Sequence, residues 1–331
     1  MRSPARRDVV RCVARMRRGI AGVLVASAAV APRSLAQSLP RSALAVRDGG
    51  AWHEWWSSER APARWDSASP TLARAVAWHE VSAGIEQGEL ALRGTGEAWR
   101  LRVILVRFDA RRLRLALARA VRDEGLLGAW TVDSAPDDAA LAVNAGQFTG
   151  GTPWGWLVMD GVELQPPGTG PLSMGVVIDS AGALRLVDAA SLDAARAAGG
   201  IAHAFQSYPT LLTGDGEIPA PLRADGRGID VAHRDSRLAL GVLRDGRVLL
   251  ALTRFDALNG TLSSLPFGPT APEMAALMGA LGCRRAVMLD GGLSGQLLVR
   301  DREGRASEWS GMRSVPLALV ARPSREISDR R

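Results

Sequence analysis

Residues 236–253 read SRLALGVLRDGRVLLALT, and this stretch decides the fold. Two apolar runs stand on either side of Arg244-Asp245-Gly246, a combination typical of a tight turn. Apolar runs joined by such a turn predict a β-hairpin whose strands are buried. The stretch therefore favours an antiparallel sheet as the framework of the chain.

The same pattern of apolar runs separated by turn residues recurs before and after this hairpin. We predict further hairpins at 153–164, around Asp160-Gly161, and at 173–187, around Ser180-Ala181-Gly182. Additional strands are expected at 99–110, 112–121, 140–148, within 203–218 as a pair around Gly214-Asp215-Gly216, within 283–299 around a Gly-rich turn, and at 313–321. The expected helices are a short one at 191–199, with Ser191 as a possible N-cap, and an amphipathic one at 270–282. The predicted fold class is α+β, a single domain of largely antiparallel or mixed sheets with a few flanking helices.

The net charge of +7 belongs to one end of the chain. All 41 basic residues are Arg, and residues 1–36 hold eight of them against one acid, whereas residues 37–331 hold 33 Arg and 33 acids. Hydrophobic residues make up 47% of the 331 residues, which excludes a disordered chain. A near-neutral main segment does not favour nucleic acid as a partner.

Residues 1–36 have the layout of a secretory signal. A basic stretch precedes the apolar run 19–31, and Ser34 and Ala36 fit the −3 and −1 positions of a cleavage site. A run of this length is short for a ~30 Å hydrocarbon core, so we expect no stable membrane span after signal removal; an uncleaved anchor is the alternative. The expected location is periplasmic or secreted, with Arg17-Arg18 compatible with a twin-arginine route.

The remaining chain divides by composition. Residues 37–77 form a Trp-rich N-terminal extension that we expect to be irregular, 78–322 the main domain, and 323–331 a polar tail. The Trp side chains either stack on sugar rings or cover the hydrophobic surface of the main domain. The polar loop 220–235 is the candidate for a lid or rim.

Two predicted strand ends carry polar groups followed by small residues. Asn144 ends one strand in VNAGQF, and Asp290 ends another in LDGGLS. Successive backbone N–H groups of the second turn are suited to an anion, and its carboxylate to acid–base work or to a metal ion. Each segment read alone is equally compatible with a tight turn closed by an Asx hydrogen bond.

Other candidate residues are isolated in sequence. Arg237 begins a strand, where its planar guanidinium suits a phosphate, although a surface charge is the commoner role. His203 and His233 flank the candidate segments, and no His pair has zinc-motif spacing. Cys283, the one Cys after residue 36, is expected to be a small buried residue.

The ordered set of segments resembles the phosphodiester glycosidases, relatives of the catalytic domain of the lysosomal uncovering enzyme, between about Trp78 and Arg322. The segments that carry the resemblance are VRFDARRLRLALA, AVNAGQF, QSYPTLLTGDG, SRLALGVLRDGRVLLAL, APEMAALMGALGCRRAVMLDGGLS and RSVPLALV. The sequence departs from the family pattern at Ala145, Gln147, Leu238 and Leu293, which alters the expected pocket.

The resemblance implies roles for individual residues. The catalytic candidates are Asp290, Asn144 and Arg237, and the substrate-binding candidates are Gly146, Gln147, Gly291, Gly292, Ser294, Arg313, Tyr208 and His203. Glycosidases often use two carboxylates, and Asp215, Glu217 and Asp230 are open candidates for the second. No cofactor is assigned, although a divalent cation bound by Asp290 is compatible with the pattern.

The function implied is an exported hydrolase of a sugar-1-phosphodiester, acting on a sugar-phosphate small molecule or a cell-envelope glycan. The alternative is a noncatalytic envelope module that binds glycans through its Trp residues and a degenerate pocket.

Overall fold

The computed structural model describes residues 39–119, 130–149, 151–170, 172–257 and 262–324. The first strands are β1 Ala43–Asp48, β2 Ala51–Ser57, β3 His79–Ser82, β4 Ile85–Arg93, β5 Leu101–Phe108, β6 Leu113–Arg119, β7 Leu141–Asn144, β8 Phe148–Thr149, β9 Thr152–Pro153, β10 Leu157–Met159 and β11 Val162–Gln165. The later strands are β12 Met174–Asp179, β13 Leu184–Asp188, β14 Ile201–Ser207, β15 Thr210–Leu212, β16 Leu238–Leu243, β17 Val248–Phe255, β18 Cys283–Leu289, β19 Leu297–Arg300, β20 Ala306–Trp309 and β21 Leu317–Pro323. The α-helices are α1 Pro70–Ala75, α2 Leu192–Ala198 and α3 Ala271–Ala280.

Three sheets form the framework. The largest has nine strands, in the order β15-β18-β16-β17-β5-β4-β1-β2 with β3 paired to β4. Two five-stranded sheets have the orders β11-β10-β14-β12-β13 and β20-β19-β7-β21-β6. All strand pairs among the described residues are antiparallel, so the molecule is a sheet-rich domain with few helices, as the hairpin patterns predicted.

The nine-stranded sheet is buried on both faces, which explains its continuous apolar runs. In β5, Ile104 and Val106 pack with the two smaller sheets, whereas Val103 and Leu105 pack with α3. This division follows from the period of two in a strand, where successive side chains point to opposite faces. The predicted hairpin of 236–253 is confirmed as β16 and β17, with Leu238 opposite Leu252.

Helix α3 is not amphipathic, contrary to prediction. All ten of its residues are buried, because one side packs on the large sheet and the other is covered by Trp side chains. Thr270 caps the helix in a reciprocal capping box with Glu273. The expected cap at Ser191 of α2 makes no side-chain cap hydrogen bond.

The Trp-rich extension is not irregular. Strands β1 and β2 form a hairpin that joins the large sheet through β4. The side chains of Trp55, Trp56 and Trp65 pack against the helix and its surroundings. Trp65 lies so close that a Cβ on Gly279 of α3 would be 2.2 Å from its ring. These three Trp residues therefore cover a hydrophobic surface, one of the two roles considered for them.

The prediction that two strands within 203–218 pair with each other is also wrong. Strand β14 pairs with β10 and β12, whereas β15 belongs to the large sheet, and Gly214–Gly216 form a 3-10 turn after it. Cys283 is buried at the start of β18, as expected. Residues 1–36, for which a signal was predicted, and all but two residues of the tail 323–331 lie outside the described ranges. Within those ranges no helix has the length and apolarity to cross a membrane.

We predict that Gly279→Ala destabilises the protein by about 1–3 kcal/mol, because the added methyl group would overlap the Trp65 ring. Helix propensity alone would give the opposite sign, a gain of about 1 kcal/mol. Urea unfolding measures the effect. The control is Gly214→Ala, where a Cβ would meet nothing within 4 Å, and an equal loss there would contradict the packing argument.

Candidate functional site

The pairing of β16 with β18 builds the site. Leu238 lies opposite Leu289 in this antiparallel ladder. Because partners step in opposite directions along antiparallel strands, residues 235–237 before β16 lie opposite residues 290–292 after β18. Two segments that are more than fifty residues apart in sequence therefore meet at one end of the large sheet.

The glycines after β18 allow this close approach. The N–H of Gly292 donates to the Ser236 carbonyl at 2.6 Å, and a Cβ on Gly291 would lie 2.4 Å from that same oxygen. The N–H of Asp290 donates to the Gly146 carbonyl at 3.1 Å. These two N–H groups bond within the protein, so neither of them is free to bind an anion.

Asp290 has a half-buried carboxyl group, and burial raises its pKa. A hydrogen bond with the buried Ser294 hydroxyl and the charge of Arg313 lower this pKa, whereas the charge of Asp235 raises it further. The net direction is upward, so Asp290 holds its proton more tightly than an exposed Asp does. Ser294 is thus placed to orient this carboxyl group.

Asp235 is a second carboxylate at the same place, and it was missed in the sequence. The Asp235 carboxylate lies close to the Gly-rich turn, since a Cβ on Gly292 would be only 2.8 Å from its Oδ2. Its Oδ1 is buried and has no hydrogen-bond partner among the described residues. Burial raises its pKa, while Arg237, the Ser236 N–H and His233 lower it. The signal was available, since extending the hairpin register back from Leu238 reaches Asp235.

Arg237 lies beside this pair but is largely occupied by the backbone. Its Nε donates to the Pro269 carbonyl at 3.0 Å and its Nη2 to the His233 carbonyl at 2.7 Å. Burial lowers its pKa, and nearby acids, Asp235 first, oppose that shift. Arg237 therefore retains fewer donors for a phosphate than the sequence suggested.

Asn144 holds the turn in place. Its Nδ2 donates to the Asp290 carbonyl at 2.7 Å, and its Oδ1 accepts from the Gln296 N–H at 2.9 Å. The residue is buried, so its carboxamide bonds to the protein and not to a ligand. Asn144, a catalytic candidate from the sequence, is thus a positioning residue in the structure.

Arg254, which no sequence pattern singled out, lies buried beneath the site. Its Nη2 donates to the carbonyls of Gly295 at 2.6 Å and Ser310 at 3.1 Å, and its Nη1 to the Ser236 hydroxyl at 3.3 Å. It has no carboxylate partner among the described residues, and burial lowers its pKa to about 10. One guanidinium group thus joins the three segments that carry Asp235, Asp290 and Arg313.

A polar and aromatic rim adjoins the carboxylates. Gln147 Nε2 donates to the Tyr208 carbonyl at 3.1 Å, and the exposed Tyr208 ring packs edge-on to Trp154 at 5.0 Å. On another side the exposed Arg313 guanidinium lies 5.0 Å from the centre of the Phe148 ring. Arg313 is the more accessible cation for an anionic ligand.

Three of the sequence candidates lie elsewhere. His203 is buried near the other end of β14, where its Nδ1 accepts from the Asp160 N–H at 3.3 Å, and burial lowers its pKa. Asp215 and Glu217 adjoin the Cys283 end of β18, about 20 Å from Asp290 at the rise of a strand. A fourth candidate, Asp230, lies in the loop before Asp235. Its carboxylate accepts from the N–H groups of residues 232 and 233 and so orders this loop.

A divalent cation finds little support at this site. The described residues contain no group of three or more His, Cys, Asp or Glu side chains that could hold a metal ion. Asp235 and Asp290 are the two carboxylates at this place, fewer than the three ligands that such a group would need.

The fold of this chain is that of a known family. A sequence model of the phosphodiester glycosidase family matches residues 137–322, so the chain belongs to this family. The match confirms the resemblance drawn from the ordered segments, although it begins after the opening strands that we included. No curated protein sequence matches the chain.

A solved structure shows the same fold. The catalytic domain of zebrafish N-acetylglucosamine-1-phosphodiester alpha-N-acetylglucosaminidase, auto-inhibited by its pro-peptide, is similar with a TM-score of 0.54 and 16% identity, covering 78% of this chain and 87% of that one. A hypothetical protein from Synechocystis gives a TM-score of 0.48 and 15% identity, covering 84% and 68%.

We predict that Arg254→Met destabilises the protein by about 2–4 kcal/mol, because buried carbonyl groups would lose their donors. Guanidinium unfolding measures the change. The control is Arg196→Met, which breaks a partly exposed ion pair with Glu163 and should cost much less. Equal losses in the two variants would show that burial of Arg254 is of no consequence.

We predict that Asp235→Asn gains stability relative to the wild type as the pH rises from 4 to 7. The native pKa of Asp235 lies above its ordinary 3.8, so its stabilising contribution is complete below 3.8 and is lost as the pH rises through the native pKa. The control, Asp109→Asn, should change little relative to the wild type over this range, because the Arg111 side chain holds the pKa of Asp109 below 3.8 and its contribution changes only at lower pH. The measurement is the melting temperature of each protein across this pH range. Parallel curves of melting temperature against pH for the two variants would refute the prediction.

Proposed function

We propose that the protein hydrolyses a sugar-1-phosphodiester, releasing the free sugar and a phosphomonoester. The observation that carries the proposal is the pair of half-buried carboxyl groups, Asp235 and Asp290, held on facing segments. Glycosidases commonly use two carboxyl groups, one as acid and one as base or nucleophile. Membership of the phosphodiester glycosidase family supports this reading.

The environments suggest how the two groups divide the work. Burial raises the pKa of Asp235, but Arg237, the Ser236 N–H and His233 oppose this rise, so we assign Asp235 as the base or nucleophile. Burial, and to a smaller extent the charge of Asp235, raises the pKa of Asp290, so we assign Asp290 as the proton donor. As the bond between C1 and the phosphate oxygen breaks, Asp290 protonates that oxygen and Asp235 takes the proton of the attacking water. Arg313 would stabilise the departing phosphate.

We propose that this reaction takes place outside the cytoplasm, on an envelope or extracellular glycoconjugate. The basic and apolar layout of residues 1–36 supports export. Expression of the full chain and of a chain lacking residues 1–36, followed by fractionation, tests it. Recovery of both proteins in the cytoplasm would refute the export proposal and leave the hydrolase proposal standing.

The glycan-binding alternative has weaker support. It required a platform of Trp side chains, but Trp55, Trp56 and Trp65 pack against α3. Trp52 and Trp99 are exposed, and each is covered on one face by an Arg side chain. Binding of glycans without turnover of any sugar-1-phosphodiester would restore this alternative.

We predict that Asp290→Asn and Asp235→Asn each lower kcat/KM by about 10²–10⁴-fold on sugar-1-phosphodiesters, the usual effect of losing an acid or base. The assay uses methyl phosphodiesters of several sugars, with and without a chelator. The wild type should lose activity on the alkaline side at a pKa above the ordinary Asp value, and this limb should disappear in Asp290→Asn.

The matched control is Asp215→Asn, at the opposite end of β18, which should keep wild-type kcat/KM. Full activity in Asp290→Asn would show that the site is assigned wrongly. Absence of turnover on every sugar would reject the hydrolase itself.

A further inference from the structure

Two exposed apolar side chains stand next to the carboxylates, outside the reaction described above. Leu293 is 43% exposed and Met312 is 62% exposed. The N–H of Met312 donates to the Leu293 carbonyl at 2.8 Å, which places the two residues side by side. We call Leu293 and Met312 the apolar ledge.

The ledge is held in place by its backbone. A Cβ on Gly311 would lie 3.0 Å from the Leu293 carbonyl oxygen and 3.1 Å from that of Ser294, so the two segments are in tight contact. Beneath them Arg254 binds the carbonyls of Gly295 and Ser310. A preformed apolar surface binds a ligand with little ordering cost.

The ledge also lies close in sequence to two charged residues of the site, Asp290 and Arg313. Leu293 follows Asp290 by three residues in the same turn, and Met312 is adjacent to Arg313, whose charge acts on the Asp290 carboxyl. A molecule that places its phosphate at Arg313 has the ledge one residue away along the same segment. The aromatic rim of Tyr208 and Trp154 joins the site through Gln147, from another segment, and remains for the sugar.

We propose that the alcohol esterified to the far side of the phosphate is apolar, an alkyl chain or an aryl ring, and that it packs on Leu293 and Met312. This inference rests on the proposed hydrolysis of a sugar-1-phosphodiester. Apolar side chains grouped beside a charged site mark a binding surface for a matching ligand. The substrate class is thus a sugar joined through phosphate to a hydrophobic alcohol.

The test compares esters of one accepted sugar 1-phosphate with methanol, octanol, phenol and triethylene glycol, the last being a polar chain of similar length to octanol. We expect kcat/KM for the octyl ester to exceed that of the methyl and triethylene glycol esters by about tenfold or more, the effect of burying roughly two methylene groups. Comparison of octyl with phenyl distinguishes a chain from a ring. Equal values for octyl, phenyl and triethylene glycol esters would overturn the inference.

Shape-preserving variants locate the effect. Leu293→Asn and Met312→Gln should each reduce the octyl-to-methyl ratio of kcat/KM severalfold. The control is Leu164→Asn on the edge strand β11, a Leu that is 47% exposed, which should leave the ratio as in the wild type. An unchanged ratio in both ledge variants overturns the inference while methyl ester turnover keeps the proposed function. If no ester is hydrolysed, both are rejected.

Discussion

The buried guanidinium of Arg254 is the interaction on which the site depends. Burying a charge is costly unless polar partners replace water, and here those partners are backbone carbonyls and one hydroxyl. Each partner belongs to a different loop, so the charge is stabilised only when all three loops are in position. The same contacts therefore link the stability of the core to the geometry of Asp235 and Asp290. Asn144 adds a second tie by bonding to both ends of the Gly-rich turn.

In a site built in this way, the ionised carboxyl groups lower the stability of the folded protein. Burial raises the pKa of both Asp235 and Asp290, which means that their ionised forms are disfavoured in the folded state. Among the described residues the Asp235 Oδ1 has no hydrogen-bond partner, which is the structural sign of the same cost. Such groups are suited to proton transfer at a higher pH than an ordinary Asp, which would already have lost its proton there. Function and local stability are in opposition at this end of the sheet.

Much of the sheet structure was accessible from the sequence, because tight turns and alternating apolar runs are local signals. The hairpin of β16 and β17 and the capping box of α3 are examples. The hairpin of β1 and β2 was missed because Trp and polar residues share its strands and its burial depends on a distant helix. Arg254 gave no signal, since its importance comes from contacts between loops, and Asp235 could be found only by extending the hairpin register back from Leu238. Asn144 was found, but only the structure shows that its carboxamide bonds to the backbone.

The part of the chain that the family model matches does not contain all the strands of the sheets to which it belongs. The family match covers residues 137–322, yet β17 pairs with β5 and β21 pairs with β6, and both partners precede that range. Without β1 to β6, two sheets would expose unpaired edges and α3 would lose its Trp cover. The segment that the family model matches is thus shorter than the sheets it belongs to, and strands β1 to β6 supply the pairing partners of β17 and β21.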